Sequence, residues 1–210
     1  MEAVSFFIYS LVSIFTIVNP IGGLITFISL SSGMSESRRR EIAKRAVMVA
    51  CSLAVLFALA GELILRFFGV TVDSLRVAGG ILLFIVALHM VYARVSPERM
   101  TDEEVREAST REDVSIFPIA MPLLTGPGTI TTVIVLIRTG RALELKLATM
   151  FAIVLVFALT YVVFRFAERI NRILGVTGSL LVSRIMGLLL GSIAVNFIAV
   201  GIWNIYKSMH

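Results

Sequence analysis

Two short stretches carry the residues least suited to their surroundings. Asn19–Pro20–Ile21–Gly22–Gly23 and Thr125–Gly126–Pro127–Gly128–Thr129 each lie inside an otherwise apolar run. Proline lacks an amide proton and glycine tolerates non-helical backbone, so both stretches should interrupt a helix where continuity is otherwise expected. An interruption exposes carbonyl oxygens at the end of one helical segment and N–H groups at the start of the next. The N–H end is the positive pole of a helix dipole and suits a carboxylate, whereas the carbonyl end suits an ammonium group. The pair can therefore hold a small zwitterion without any buried charged side chain. Gly22, Gly23, Gly126 and Gly128 leave space for backbone to approach a solute, and Asn19, Thr125 and Thr129 add side-chain hydrogen bonds. With Pro20, Ile21 and Pro127 these residues form the candidate substrate site. Asn196, in the last apolar run, either joins the cavity between the stretches or bonds a neighbouring helix.

The elements that must position these residues are membrane spans. Of 210 residues, 58% are hydrophobic and 16% charged, and the mean hydropathy is +0.95. A soluble domain of this length needs many more charges. Six runs, about 4–31, 43–65, 77–93, 114–137, 147–164 and 178–206, approach or exceed the length of a hydrocarbon core. The hydrophilic stretch 96–113 separates residues 1–95 from 114–210, and Thr101 with Glu104 in it resembles a capping box. The two halves align. Residues 60–71 (AGELILRFFGVT) match 166–177 (FAERINRILGVT) at an offset of 106, and 76–83 match 184–191 at 108. Pro20 falls opposite Pro127 at 107. Three spans per half force the second copy to enter the membrane from the other side. The expected fold is all-α: six transmembrane helices as two inverted three-helix repeats, with the first and fourth helices broken. Secondary transporters are built this way, with substrate held near the midplane between repeats.

Charge supplies an orientation. Thirteen Lys and Arg lie in 32–45, around 94–113 and in the 165–184 connection, against six on the other side, Arg66, Arg76, Arg138, Arg141, Lys146 and Lys207. The positive-inside bias places the richer loops in the cytoplasm and both termini outside a cell membrane. Topology accounts for the net charge of +5, so no nucleic-acid partner is implied, and Arg38–Arg39–Arg40 reads as an anchor to membrane lipid. Glu62 with Arg66 and Glu168 with Arg172 stand four apart and are expected to pair along their helices. Gly187 and Gly191 fit a close-packing pattern within the bundle. Cys51 is the only cysteine, and neither a zinc-protease HExxH nor a phosphate-binding loop is present. Together with a single histidine in the spans, His89, this argues against an enzyme, a metal or a cofactor. Transport would then run downhill or on an ion gradient, with a proton or sodium as the possible coupling ion.

The stretches 15–27 (FTIVNPIGGLITF) and 117–131 (FPIAMPLLTGPGTIT), with 76–90 and 184–198, resemble the paired signature of the MarC family of integral membrane proteins. The resemblance covers essentially the whole chain. It implies a six-span fold similar to the LysE-type exporters and, by similarity to archaeal members, a secondary transporter of small neutral amino acids such as glycine and alanine. Thr125 and Thr129 stand where many members carry alanine. The alternative is a channel, or a broad-specificity exporter of small metabolites or drugs, whose pore or gate the same stretches would line. The absence of a deep acidic residue favours amino acids over cationic drugs.

Overall fold

In a computed structural model describing residues 2–92 and 114–209, those residues form helices joined by short turns. The helices are α1 (Glu2–Val18), α2 (Pro20–Leu30), α3 (Glu36–Phe67), α4 (Val72–Val91), α5 (Ser115–Leu124), α6 (Pro127–Thr139), α7 (Leu143–Arg165) and α8 (Ala167–Met209). Five candidate spans are long and apolar enough to cross a membrane, and the bent pair α5–α6 makes a sixth. The 96–113 linker and its Thr101–Glu104 capping box lie outside the described residues.

Each boundary has a local cause. Ser35 caps α3 by accepting from the Arg38 N–H, and Thr71 caps α4 by accepting from the Ser74 N–H. The end of α3 turns at Gly69, with the Val70 N–H bonding Leu65 O at 2.9 Å and the Gly69 N–H bonding Arg66 O at 3.1 Å. That paired closure needs left-handed backbone, and Gly69 supplies it with φ of 68°. In α8 the helical path lapses at Gly175, φ 60°, and the long apolar part of the helix runs from Thr177 to Met209.

Packing relies on small residues. α1 packs chiefly on α7, α3 on α5, α6 and α7, and α4 on α8. A Cβ at Gly79 would lie 2.1 Å from Thr131 Cγ2, one at Gly80 3.0 Å from Ala194 O, and one at Gly187 3.0 Å from Ala87 O. These glycines let neighbouring helices approach closely, and Gly187 acts within the bundle against α4, as its spacing suggested. The core between α1, α2, α3, α5 and α7 is filled by Ile14, Leu24, Phe27, Ile119, Leu124, Ile153 and Phe157, all at most 1% exposed.

The charges collect at two ends. Arg39 pairs with Glu168, and Arg165 lies 3.7 Å from Glu36, so the 32–45 and 165–172 segments share one end. Arg138 reaches Glu62 at 3.5 Å at the opposite end. The expected pair of Glu62 with Arg66 forms, at 2.7 Å. The expected pair of Glu168 with Arg172 is replaced by a contact across the bundle to Arg39, whose long side chain spans from the start of α3 to the start of α8.

Candidate functional site

At the first stretch the interruption is one residue wide. α1 ends at Val18, Asn19 takes left-handed backbone (φ 47°, ψ 63°), and α2 starts at Pro20. The two helices still pass as one 28-residue span, Ala3–Leu30. Hydrogen bonds bridge the lapse: the Asn19 N–H donates to Phe15 O at 2.9 Å and the Gly23 N–H to Asn19 O at 3.0 Å. Pro20 has no N–H to give Thr16, so that carbonyl loses its helical partner. The Asn19 side chain is engaged through both its oxygen and its nitrogen. Its Oδ1 accepts from the Gly22 N–H at 3.0 Å, capping α2, while Nδ2 reaches Met90 Sδ at 3.9 Å. Pro20, Gly22 and Gly23 are buried and Ile21 half-buried.

The second stretch is a true corner. α5 and α6 meet at 57°. α5 is wide and irregular, with extended backbone at Phe117 and Met121, and its bonds skip five residues: the Ile119 N–H to Val114 O and the Thr125 N–H to Ala120 O. Pro118 and Pro122 inside it prevent an ordinary helix. Gly126 precedes α6, and no side chain caps that helix. The threonines turn to carbonyls. Thr125 Oγ1 donates to Ala50 O of α3 at 2.9 Å, Thr129 Oγ1 to Leu124 O at 3.0 Å and Thr132 Oγ1 to Gly128 O at 2.8 Å. Thr125 is fully buried and Thr129 nearly so, Gly126 and Gly128 are buried, and Pro127 is exposed.

The two stretches adjoin. A Cβ on Gly128 would lie 3.6 Å from Ile17 Cγ2, and one on Gly23 would lie 3.8 Å from Leu123 Cδ2. The start of α6 therefore rests beside the end of α1, and the start of α2 beside the end of α5. Leu83 of α4 fills the space over Gly128, its Cδ2 2.6 Å from where a Cβ would be. On the other side, Phe27 and Phe164 stack with centroids 4.5 Å apart, and the Phe164 ring comes to 3.6 Å of a Gly23 Cβ. Beyond that stack a cavity of about 160 Å³ opens at the basic end, lined by Arg39, Arg40, Arg165 and Arg169 with Glu36 and Glu168.

Asn196 stands elsewhere. It is exposed on α8 and lines a cavity of about 100 Å³ with Tyr9, Arg76 and Thr139. Thr139 lies twelve positions beyond Pro127, roughly 18 Å along α6 at a rise of about 1.5 Å per residue. Leu83, Phe27 and Phe164 escaped the sequence reading, because apolar residues in an apolar helix carry no signal of which neighbour they cover. Among the described residues no group of three or more His, Cys, Asp or Glu is placed to hold a metal.

Comparison with known proteins places this geometry in a family. The profile described as "MarC family integral membrane protein" matches residues 4–206. The chain is 38% identical over 201 residues to a UPF0056 membrane protein of Aquifex aeolicus, covering 96% of this chain and 94% of the relative. It is 36% identical to UPF0056 membrane protein MJ1677 of Methanocaldococcus jannaschii, over 94% of this chain and 96% of the relative. With UPF0056 membrane protein YvbG of Bacillus subtilis it shares 32%, over 96% of each. No solved structure matches. The adjoining interruptions thus sit in a multi-pass chain that belongs to the MarC family of integral membrane proteins.

Proposed function

We propose that the protein is a secondary transporter of small neutral amino acids, glycine and alanine foremost, working by alternating access around the two interruptions. The observation that carries this reading is the meeting of opposite helix poles: the uncapped start of α6 lies against the carbonyl end of α1. A carboxylate is held by the first-turn N–H groups of α6, at Gly128 and Thr129, and an ammonium group by the Thr16 carbonyl that Pro20 leaves without a donor. Asn19 takes no part in holding the carboxylate, since its donor Nδ2 turns to Met90 Sδ while its Oδ1 caps α2. In the conformation described here Leu83 occupies the place of the solute, so loading requires that side chain to swing away.

Several observations support two inverted copies. Exchanging the first three spans for the last three maps the main helix contacts onto one another: α1 on α7 answers α3 on α5, α4 on α6 answers α2 on α8, and α4 on α8 is its own counterpart. Gly69 and Gly175, aligned between the halves, both carry positive φ. In the proposed orientation the basic end, with Arg39 and Arg165, faces the cytoplasm of the cell, both termini lie outside, and a proton or sodium gradient supplies the drive. The Phe27–Phe164 stack then closes the cytoplasmic side.

The test is counterflow of labelled glycine in proteoliposomes, with and without an imposed proton or sodium gradient. Saturable uptake that unlabelled alanine inhibits is expected. Flux rising linearly with glycine and indifferent to alanine would point to a channel. Leu83→Ala sharpens the test: by enlarging the space over Gly128 it should shift preference from glycine toward larger neutral amino acids. An unchanged ranking would remove Leu83 from the site.

A further inference from the structure

Arg76 is the one buried charged residue among those described, 6% exposed. Burying an arginine is costly unless its charge and its five N–H donors are matched. The match here is incomplete. Nη2 donates to Thr139 Oγ1 at 2.8 Å, while Nη1 reaches Asp73 Oδ1 only at 3.4 Å. Asp73 is itself shared, since its Oδ1 also accepts from Asn204 Nδ2 at 2.9 Å. Arg76 Nε is buried with no hydrogen-bond partner among the described residues. A guanidinium with a weak counter-ion and an orphaned N–H is a poor structural tie, yet Arg76 also lines the cavity of about 100 Å³.

The other walls complete a receptor. Tyr9 and Asn196 bring a phenol and an amide, and Val135, Leu136, Phe197 and Val200 make an apolar remainder. Two donor types beside one cationic group suit a planar anion with two oxygens, and an arginine fork matches a carboxylate in shape. The volume limits the ligand to a few heavy atoms. The apolar wall excludes a hydrated multivalent anion such as phosphate, whose desolvation the site cannot offset.

We propose that this cavity, at the end of the bundle where α4 begins and α6 and α8 end, binds the carboxylate of a small monocarboxylate, with Arg76 as counter-ion and Asn196 and Tyr9 as orienting donors. The site lies well away from both interruptions and stands whether or not they carry the transported solute. The carboxylate belongs either to a free monocarboxylic acid or to an amino acid waiting outside the interruptions, and competition separates these sources.

The probe is sodium acetate, titrated into the detergent-solubilised full chain while the thermal unfolding midpoint is followed; ligand that binds only the folded state raises it. The midpoint should climb with acetate and stay flat with ethylamine hydrochloride, which matches acetate in size without the carboxylate. Asn196→Leu removes an exposed amide, leaves the fold intact and should demand about tenfold more acetate for the same rise. Arg76→Lys should keep part of the response and Arg76→Met none. Glycine that lowers the further rise due to acetate assigns the site to an amino acid; glycine without effect assigns it to a free monocarboxylate. An equal rise with ethylamine, no rise at all, or an unaltered acetate response in both Asn196→Leu and Arg76→Met would overturn the proposal. Gly128→Leu should abolish glycine counterflow and spare the acetate response wherever the variant folds, so failure of one site is visible apart from failure of the other.

Discussion

The two interruptions solve the same problem in opposite ways. At Asn19 the chain gives up one residue of helical backbone, and the asparagine closes the gap with its own side chain. At Thr125–Gly126 the path turns by 57° and the start of α6 is left without a side-chain cap. The first is a notch whose N–H donors are satisfied from within, leaving only the Thr16 carbonyl open; the second is an open donor end whose neighbouring carbonyls are tied off by threonines. Buried N–H groups without partners are expensive in a membrane, so the open end is the place where a ligand contributes most. The difference teaches that proline and glycine mark where a helix lapses, whereas the flanking polar residue decides whether the lapse remains available.

The strongest way to break this comparison is to fill the second interruption. Gly128→Val sets a branched side chain 2.6 Å from Leu83 Cδ2. Overpacking of that kind costs about 3 kcal/mol, and the variant should melt far below the parent in detergent or fail to give a monodisperse peak. Gly23→Ala meets the Phe164 ring at 3.6 Å, an ordinary contact, and should be close to neutral. Adding Leu83→Ala to the Gly128 variant should restore much of the loss. Equal sensitivity of both glycines would erase the contrast.

Next in size is the notch. Asn19→Ala removes the cap and leaves an alanine in left-handed backbone, so a loss of about 2 kcal/mol is expected. Asn19→Gly accepts that backbone freely, and only a few tenths should be lost. If chemical denaturation ranks the glycine variant below the alanine one, the strain account of the notch is wrong.

A smaller effect is expected where the corner is tied to α3. Thr125→Val removes the hydrogen bond to Ala50 O and should cost about 1 kcal/mol, with Thr125→Ser close to wild type. A silent Thr125→Val would mean that the corner is held by packing alone.

Much of this was legible in the residues, and the remainder was not for physical reasons. Helix number follows from apolar length, and the lapses follow from Pro20, Pro127 and their neighbouring glycines, because the bilayer admits little besides helices. The use of each polar group was hidden. Asn19 Oδ1 turns inward to Gly22, and Thr125 and Thr129 turn to carbonyls. Each choice depends on which backbone atom tertiary packing brings within about 3 Å. Glu168 shows the same limit: its neighbour four residues on was visible, while Arg39, 129 positions away, was not. Arg76 entered the sequence reading as a charge on one side of the membrane and as the first residue of the 76–83 repeat match, and only the fold reveals that it is buried.

The smallest effect is expected at the far end of the corner helix, where Glu62 meets Arg66 at 2.7 Å and Arg138 of α6 at 3.5 Å. If the open end of α6 depends on an outside clamp, Glu62→Gln should disturb it; if α6 is held by Thr125, Thr131 and the glycines it packs on, the change should scarcely register. The Glu62 side chain is 37% exposed, and ion pairs of that exposure contribute at most about 0.5 kcal/mol and are screened by salt. Stability should therefore fall by less than about 0.5 kcal/mol, with the difference vanishing in high salt, and glycine counterflow should keep its rate. A lost gradient-driven component with normal counterflow would instead make Glu62 the coupling-ion ligand, and the contrast between charged ends and charge-free interruptions would no longer hold.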